Sequence, residues 1–424
     1  MCGLCAEIQE DYGMKINAVK GTNDYLPAQV ELRDYLQSTI LKTYENNGFR
    51  RIMTPAIEDA ENLDKSDGGD NLNLIFKIMK RGEKLDKALE SGDPKELSDL
   101  GLRYDLTLPL TRYYAGHKEQ LPTPMKCIQI DKVYRAERPQ KGRDREFVQC
   151  DIDILGSASP NCEAELILTT AKALQAISLK EFKIKINDRR LLKSMLLGCG
   201  FEESQLDSVC VSFDKLDKIG AEGVSEELTE KEFSKAAIDR LMQVLEMRPF
   251  TLDKMTELCE DTEAVDNLKY IISTVQSVAG DSFEVEFDLS LVRGQGYYTG
   301  TVFEVESTKF RGAIGGGGRY DNLVGKFIGQ DVPAVGFSIG FERIFAILSE
   351  SGFVIPEKAK KVAVLYNSEE FAAAYAKAEE LRSEYDVSMF EMPKKVSKFL
   401  TKLQETGYYG FYTVGQSETV NELK

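Results

Sequence analysis

Only one residue in 424, His117, is a histidine. That scarcity removes Ser-His-Asp catalysis and multi-histidine metal sites as serious options unless His117 carries everything. The segment around it, RYYAGHKEQLP, reads as a helix end beside a loop, so His117 is expected at the surface. Cysteine is thin as well, with eight in the chain, and Cys127, Cys150, Cys210 and Cys259 fall inside apolar periods, where buried free thiols are expected. Cys2 and Cys5 form a lone CxxC with no second pair at ribbon spacing, so no structural zinc and no other metal site is expected. No apolar run approaches the roughly 20 residues of a membrane span, and no basic segment leads into an apolar one at the N-terminus. A cytoplasmic protein without a membrane partner is expected. Positive charge is in deficit, 54 Lys and Arg against 70 Asp and Glu for a net −16. This argues against a surface made for nucleic acid throughout and leaves room for a local basic patch. The phosphate-loop pattern GxxxxGK(S/T) is missing, and the glycine cluster Gly315 to Gly318 does not fit GxGxxG. Such a cluster marks either close strand packing or a backbone brought near a flat base or phosphate.

What is present centres on VYRAERPQKGRDREFVQCDID, Val133 to Asp153. Val148, Cys150, Ile152 and Ile154 alternate with Gln149, Asp151 and Asp153, so a strand is expected to bury one face and turn an amide and two carboxylates the other way. A first strand is expected to carry Arg135 and Glu137 on one side. Between the two, Arg138, Lys141, Arg143 and Arg145 crowd a turn with Pro139 and Gly142, which suits an anionic ligand or a solvated hairpin with scattered ion pairs.

Along the chain, an acidic leader to about residue 14 precedes the turn-rich KINAVKGTNDYLP. From Pro27 to Asn47, Leu32, Leu36, Ile40 and Tyr44 recur every four residues, with Pro27 at the start and Gly48 past the end, which predicts a long amphipathic helix. FRRIMTPAIED then reads as one strand whose Pro55 demands an edge, bulge or interface position. Residues 189–280 are mostly helical in pattern between strand-like segments, an inserted helical module. From Lys361 the rhythm strand, helix, strand, helix, strand predicts a small α/β domain.

In the right order, these pieces resemble the three signature motifs of class II aminoacyl-tRNA synthetases: the helix and strand with Pro55, then YRAERPQKGRDREFVQ, then GFSIGFERIF. More narrowly, KGTNDYLP, LRYDLT, ERPQKGR, QCDID, DKLDKIG, VRGQGYYTG and GGGGRYDNLVG are similar to the histidyl-tRNA synthetase family over most of residues 15 to 350. The resemblance implies an α/β fold with an α+β catalytic core: an antiparallel-sheet catalytic domain at 15–350 carrying the helical insertion of about 189–280, and an anticodon-binding-like α/β domain at 358–424. Residues 1–14 would be an extension, because the family pattern begins near Met14. The C-terminal domain would be shortened, because the chain ends where a further strand and helix are expected.

The resemblance also implies roles. The activity would be that of a ligase joining histidine to tRNA(His) through an adenylate made from ATP with Mg2+, in a homodimer. Arg135 and Arg343 would grip phosphates, and Glu137 would read the adenine amino group. Asp105 and Thr107 would hold the α-ammonium, while Gln149, Asp153, Tyr297 and Tyr298 would surround the rest of L-histidine. Arg293 would stabilise charge at the α-phosphate. Arg138 and Gln140 would touch the tRNA acceptor end, and Lys395, Lys398 and Lys402, on one helical face, would meet the anticodon stem; ordinary surface lysines have the same spacing. The RGQGYYTG segment departs from the family's RGLDYYTG at Gln295 and Gly296. Two rivals share the fold. One is a non-catalytic paralogue that regulates ATP phosphoribosyltransferase, which the RPQKGR loop and C-terminal domain disfavour. The other is a class II synthetase for threonine or proline, which YYTG and QCDID together disfavour.

Overall fold

A computed structural model describes residues 16–64, 73–140, 142–213, 215–247, 249–259, 262–292, 296–356 and 358–423. Arg293, Gln295, Lys141, Cys2, Cys5 and the leader lie outside them. The chain divides into two compact units, one ending at Gly352 and the other spanning Phe353–Lys424.

In the larger unit the apolar period of the first helix, α1 (Pro27–Asn46), is realised: Leu32, Leu36, Ile40 and Tyr44 are buried, and Pro27 starts the helix where no backbone donor is needed. The single strand expected after it is instead two. β1 (Arg50–Arg51) pairs in parallel with a strand of the main sheet, whereas β2 (Ile57–Asp59) belongs to a separate three-stranded antiparallel sheet. Pro55 lies in the link between them, where its missing N–H breaks no ladder. Arg103, 1% exposed, holds that link by donating to the carbonyl oxygens of Thr54 at 2.7 Å and Pro55 at 3.4 Å. β3 (Lys77–Met79) and β4 (Ser98–Leu102) complete the small sheet, and α2 (Thr107–His117) follows. His117 ends α2 exposed, with its ring stacked on Tyr113 at 4.5 Å between centroids.

The main sheet has eight strands in the order β1-β5-β6-β11-β10-β9-β7-β8. Its members after β1 are β5 (Met125–Tyr134), β6 (Glu146–Leu155), β7 (Phe182–Asp188), β8 (Glu284–Phe287), β9 (Thr301–Ser307), β10 (Phe310–Arg319) and β11 (Ala334–Gly340). Pairing is antiparallel from β5 through β7 and parallel only at the two edges. β7 and β8 are adjacent and parallel, and the helices between Arg189 and Ala279 connect them. A parallel pair needs a crossover of this kind, so the helical segment leaves and rejoins the sheet at one edge. α3 (Phe341–Glu350) begins directly after β11.

β5 and β6 form the expected hairpin with continuous register from Met125↔Leu155 to Tyr134↔Glu146. One feature differs. β5 stops at Tyr134; the Arg135 amide still donates across the hairpin to the Arg145 carbonyl at 2.9 Å, and the chain leaves at Ala136, whose amide donates to the carbonyl of Leu74. That departure turns the chain away from β6 and opens the loop.

The smaller unit has the sheet order β13-β12-β14-β15, with β12 (Lys361–Tyr366), β13 (Asp386–Glu391) and β14 (Tyr408–Thr413) parallel. A short β15 (Asn421–Glu422) pairs antiparallel with β14, a strand the sequence pattern did not suggest. The helix Val396–Glu405 turns Phe399, Leu400 and Leu403 into the core and leaves Lys398 and Lys402 exposed, with Lys395 exposed just before it.

Candidate active site

The middle strands of the main sheet form the floor of a cavity of about 500 Å³. Asp105, Thr107, Arg135, Glu137, Gln149, Asp153, Tyr297, Tyr298 and Arg343 all line it, although they come from widely separated parts of the chain. Arg138 and Gln140 are exposed in the hairpin loop and do not line it, and the C-terminal lysines belong to the other unit. Arg293 lies outside the described residues, between Val292 and the tyrosine pair.

The floor is bare because its residues are small. Asp153 pairs with Gly336 and Gly336 with Gly318; Asp151 pairs with Ser338 and Ser338 with Gly316. A Cβ at Gly336 would collide with the Asp153 carboxylate, and one at Gly317 with the Gly336 carbonyl. The glycine run therefore satisfies both of its open readings: strands pack where no side chain fits, and backbone lines the cavity.

Three carboxylates gather on this floor. Asp105 caps the start of α2, accepting from the Leu108 amide at 3.2 Å, and its second oxygen accepts from the Tyr297 hydroxyl at 3.2 Å. That hydroxyl also lies 3.5 Å from the Thr107 hydroxyl. Asp153 accepts from the Tyr320 hydroxyl at 2.7 Å through Oδ1, while its Oδ2 is buried with no hydrogen-bond partner. Asp151 accepts from Gln149 Nε2 at 3.2 Å. Burial raises all three carboxyls above the ordinary range, Asp151 to about 7, and each of Asp151 and Asp153 is raised further by its acidic neighbours. Such a cluster is stabilised by a bound cation that supplies the missing donors and charge.

Arginines border the same cavity. Arg135 stacks on Phe147 at 5.0 Å, donates to the Tyr104 carbonyl at 3.0 Å and reaches Gln149 Oε1 at 3.5 Å. Arg343, at the start of α3, lies 5.6 Å from the Phe310 ring centre and donates to the carbonyls of Gly142 and Ala313. Glu137 faces Arg143 at 3.5 Å. Forked, permanently charged guanidinium groups beside aromatic faces suit a nucleotide polyphosphate. Acid at one part of the cavity and arginine at another fit an ammonium-bearing molecule held next to a phosphate.

Several lining residues had no role assigned from sequence. Asp151 was legible on the polar face of β6; Gly336 and Ser338 fall in GFSIGFERIF and Tyr320, just past β10, in GGGGRYDNLVG, segments that carry the resemblance without assigning these residues a role. Glu342 is the most consequential. It takes a bidentate ion pair from Arg33 of α1 at 2.6 and 2.9 Å, and accepts from the Val148 amide at 3.1 Å. Arg33 is enclosed by the rings of Tyr25, Phe341 and Phe345 at 4.0 to 5.1 Å. The available signal was a charged residue beside the apolar stripe of α1.

The chain is similar to known proteins over most of its length. The family model described as histidyl-tRNA synthetase matches residues 21–344. A histidine–tRNA ligase of Leifsonia xyli is 44% identical over 359 residues, covering 81% of each chain. One from Christiangramia forsetii is 36% identical over 427 residues, 96% of this chain and 93% of the relative. Among solved structures, the histidyl-tRNA synthetase of Nostoc sp. PCC 7120 superposes with a TM-score of 0.76 at 27% identity, covering 94% and 91% of the two chains.

Proposed function

This chain belongs to the histidyl-tRNA synthetase family, and from that premise we propose how its residues divide the work. Its activity is that of a histidine–tRNA ligase, an aminoacyl-tRNA synthetase with an α/β class II fold. The regulatory paralogue is not better supported, since the curated relatives carry the ligase name.

The observation that carries the assignment of roles is the cavity itself, in which buried carboxylates and the aromatic hydroxyls bonded to them adjoin arginines. Asp105 and Thr107 receive the α-ammonium of L-histidine, and Gln149, expected with the rest of the substrate, joins them here because its nitrogen is held by Asp151 and its oxygen is left to accept. Asp153, with its unpartnered Oδ2, and Tyr297 and Tyr298 receive the imidazole, whose N–H supplies the donor that oxygen lacks and whose other nitrogen accepts. A site with unmet acceptors rejects isosteric side chains that cannot donate. ATP, delivered as its magnesium complex, lies across Arg135, Glu137 and Arg343, with Arg293 at the α-phosphate. The histidine carboxylate is ionised at neutral pH and attacks that phosphorus, so pyrophosphate leaves without a general base. What the protein contributes is positioning and charge stabilisation. The terminal ribose hydroxyl of tRNA(His) then takes the histidyl group.

Arg138 and Gln140, exposed in the loop, serve the second step. Replacing both with alanine leaves histidine-dependent pyrophosphate exchange nearly unchanged and lowers aminoacylation of tRNA(His), with the deficit shrinking as salt is added, because salt weakens in the wild type the phosphate contact that the variant already lacks. Charging at the wild-type rate would remove the loop from tRNA contact. Residues 358–424 serve as the anticodon-binding domain, with Lys395, Lys398 and Lys402 facing the stem.

The active form is a homodimer joined through the Pro55 link; Leu32 and Leu36 of α1, which the helix pattern offered to the same interface, are buried within the chain and do not take part. Met53 and Ile57, flanking Pro55, are 72% and 51% exposed, a large apolar exposure for a monomer. Light scattering at assay concentration is expected to report twice the chain mass; an active monomer would contradict this.

A further inference from the structure

We propose that Asp151 is a positioning residue for the amino-acid substrate: it holds the amide of Gln149 so that the side-chain oxygen is turned to the α-ammonium, and it sets a second negative charge beneath that group. The inference rests on reading the cavity as the histidine site. Gln149 and Asp151 are two apart on β6 and share its polar face, as period two requires. Gln149 Nε2 donates to both Asp151 oxygens, at 3.3 and 3.2 Å, and lies 3.2 Å from Ser338 Oγ, which comes from the register partner of Asp151 on β11. With its nitrogen so engaged, the amide has only Oε1 left to present, and that oxygen is on the Arg135 side at 3.5 Å. An ammonium needs acceptors, and a reversed amide would meet it with a donor. Asp151 therefore decides which end of Gln149 the substrate sees.

The charge matters as well as the orientation. Asp151 is 4% exposed, and the groups facing it are Asp105 before α2, Asp153 on its own strand, Arg135 after β5, Cys150 beside it, Cys127 of β5 and Tyr44 of α1. Arg135 alone among these is cationic, so burial and acidic neighbours push the Asp151 carboxyl up to about 7. The charge is present above that pH and lost below it. Histidine binding should weaken as the solution is acidified through this range, over and above any effect of the ligand's own titration.

The test is the ratio of histidine KM between Asp151→Asn and wild type in the full-length protein, measured by ATP–pyrophosphate exchange from pH 6 to pH 8.5. Ligand titration is common to both enzymes and cancels. The nearly isosteric change removes the charge and leaves an oxygen for Gln149. At pH 8 the ratio is expected to be about 5 or more, with kcat within about 3-fold and ATP KM unchanged, and to fall toward about 1 at pH 6, where the wild-type carboxyl is itself neutral. Asp151→Ala, which removes the acceptor too, should raise KM further at pH 8. Equilibrium binding of histidine gives the same ratio should a variant turn over too slowly. A ratio near 1 at pH 8, or one that does not change with pH, overturns the assignment of Asp151 alone. A wild type that shows no exchange with histidine overturns the reading of the cavity.

Discussion

Replacing Arg343 with alanine is expected to slow histidine-dependent ATP–pyrophosphate exchange by about 100-fold or more, the scale on which removal of a preorganised charge donor acts. Arg343 opens α3, borders the cavity, and is held beside Phe310 by the carbonyls of Gly142 and Ala313. Its guanidinium is thus placed before ATP arrives and costs little reorganisation. The effect should fall on ATP KM and on kcat, leaving equilibrium binding of histidine within about 3-fold, because the acidic cluster is built from other residues. Arg343→Lys should recover only part of the loss, since an ammonium cannot present two parallel N–H bonds. Exchange at the wild-type rate in the alanine variant would remove Arg343 from the phosphate site.

A comparable loss, now of stability, is expected for Arg33→Ala. Its side chain is 9% exposed and that of Glu342 10%, and the pair joins α1 to α3 while Glu342 also accepts from Val148 of β6. Removing one partner leaves a carboxylate buried without its counter-ion, which costs about 3–5 kcal/mol. Urea unfolding should show the transition of the larger unit moved to lower denaturant. Glu342→Gln should cost a similar amount, and the double variant should cost far less than the sum, because the second change removes the stranded charge. Additive losses would mean that the two residues act separately. Because Arg343 adjoins Glu342 in sequence, Arg33→Ala should also raise ATP KM even where the protein remains folded.

Much of the cavity was legible in the chain because a strand reports its own faces. Gln149, Asp151 and Asp153 alternate with apolar residues, and that alternation alone places them on one polar face whatever the fold. The four-residue period of α1 worked for the same reason. What escaped was tertiary. Nothing local tells Arg33, in an otherwise apolar stripe, that its partner lies 309 positions away at Glu342. Nothing in FRRIMTPAIED tells β1 and β2 to join different sheets; the proline forbids a central strand, but only the surrounding sheets decide where the chain divides. The glycine run was ambiguous from sequence because close packing and ligand approach demand the same missing side chain, and here both demands hold. Arg135 and Glu137 were expected on one strand; Arg135 makes the last cross-hairpin bond, to Arg145, and Glu137 lies past it, since where a hairpin ends depends on what its loop meets, here Leu74 against Ala136.

The most direct test is ATP–pyrophosphate exchange by the purified full-length protein with each of the twenty amino acids in turn, followed by charging of tRNA(His) with the one that supports exchange. Exchange with histidine alone, followed by formation of histidyl-tRNA, is the predicted result. Exchange with threonine or proline, or with no amino acid at all, would contradict the account.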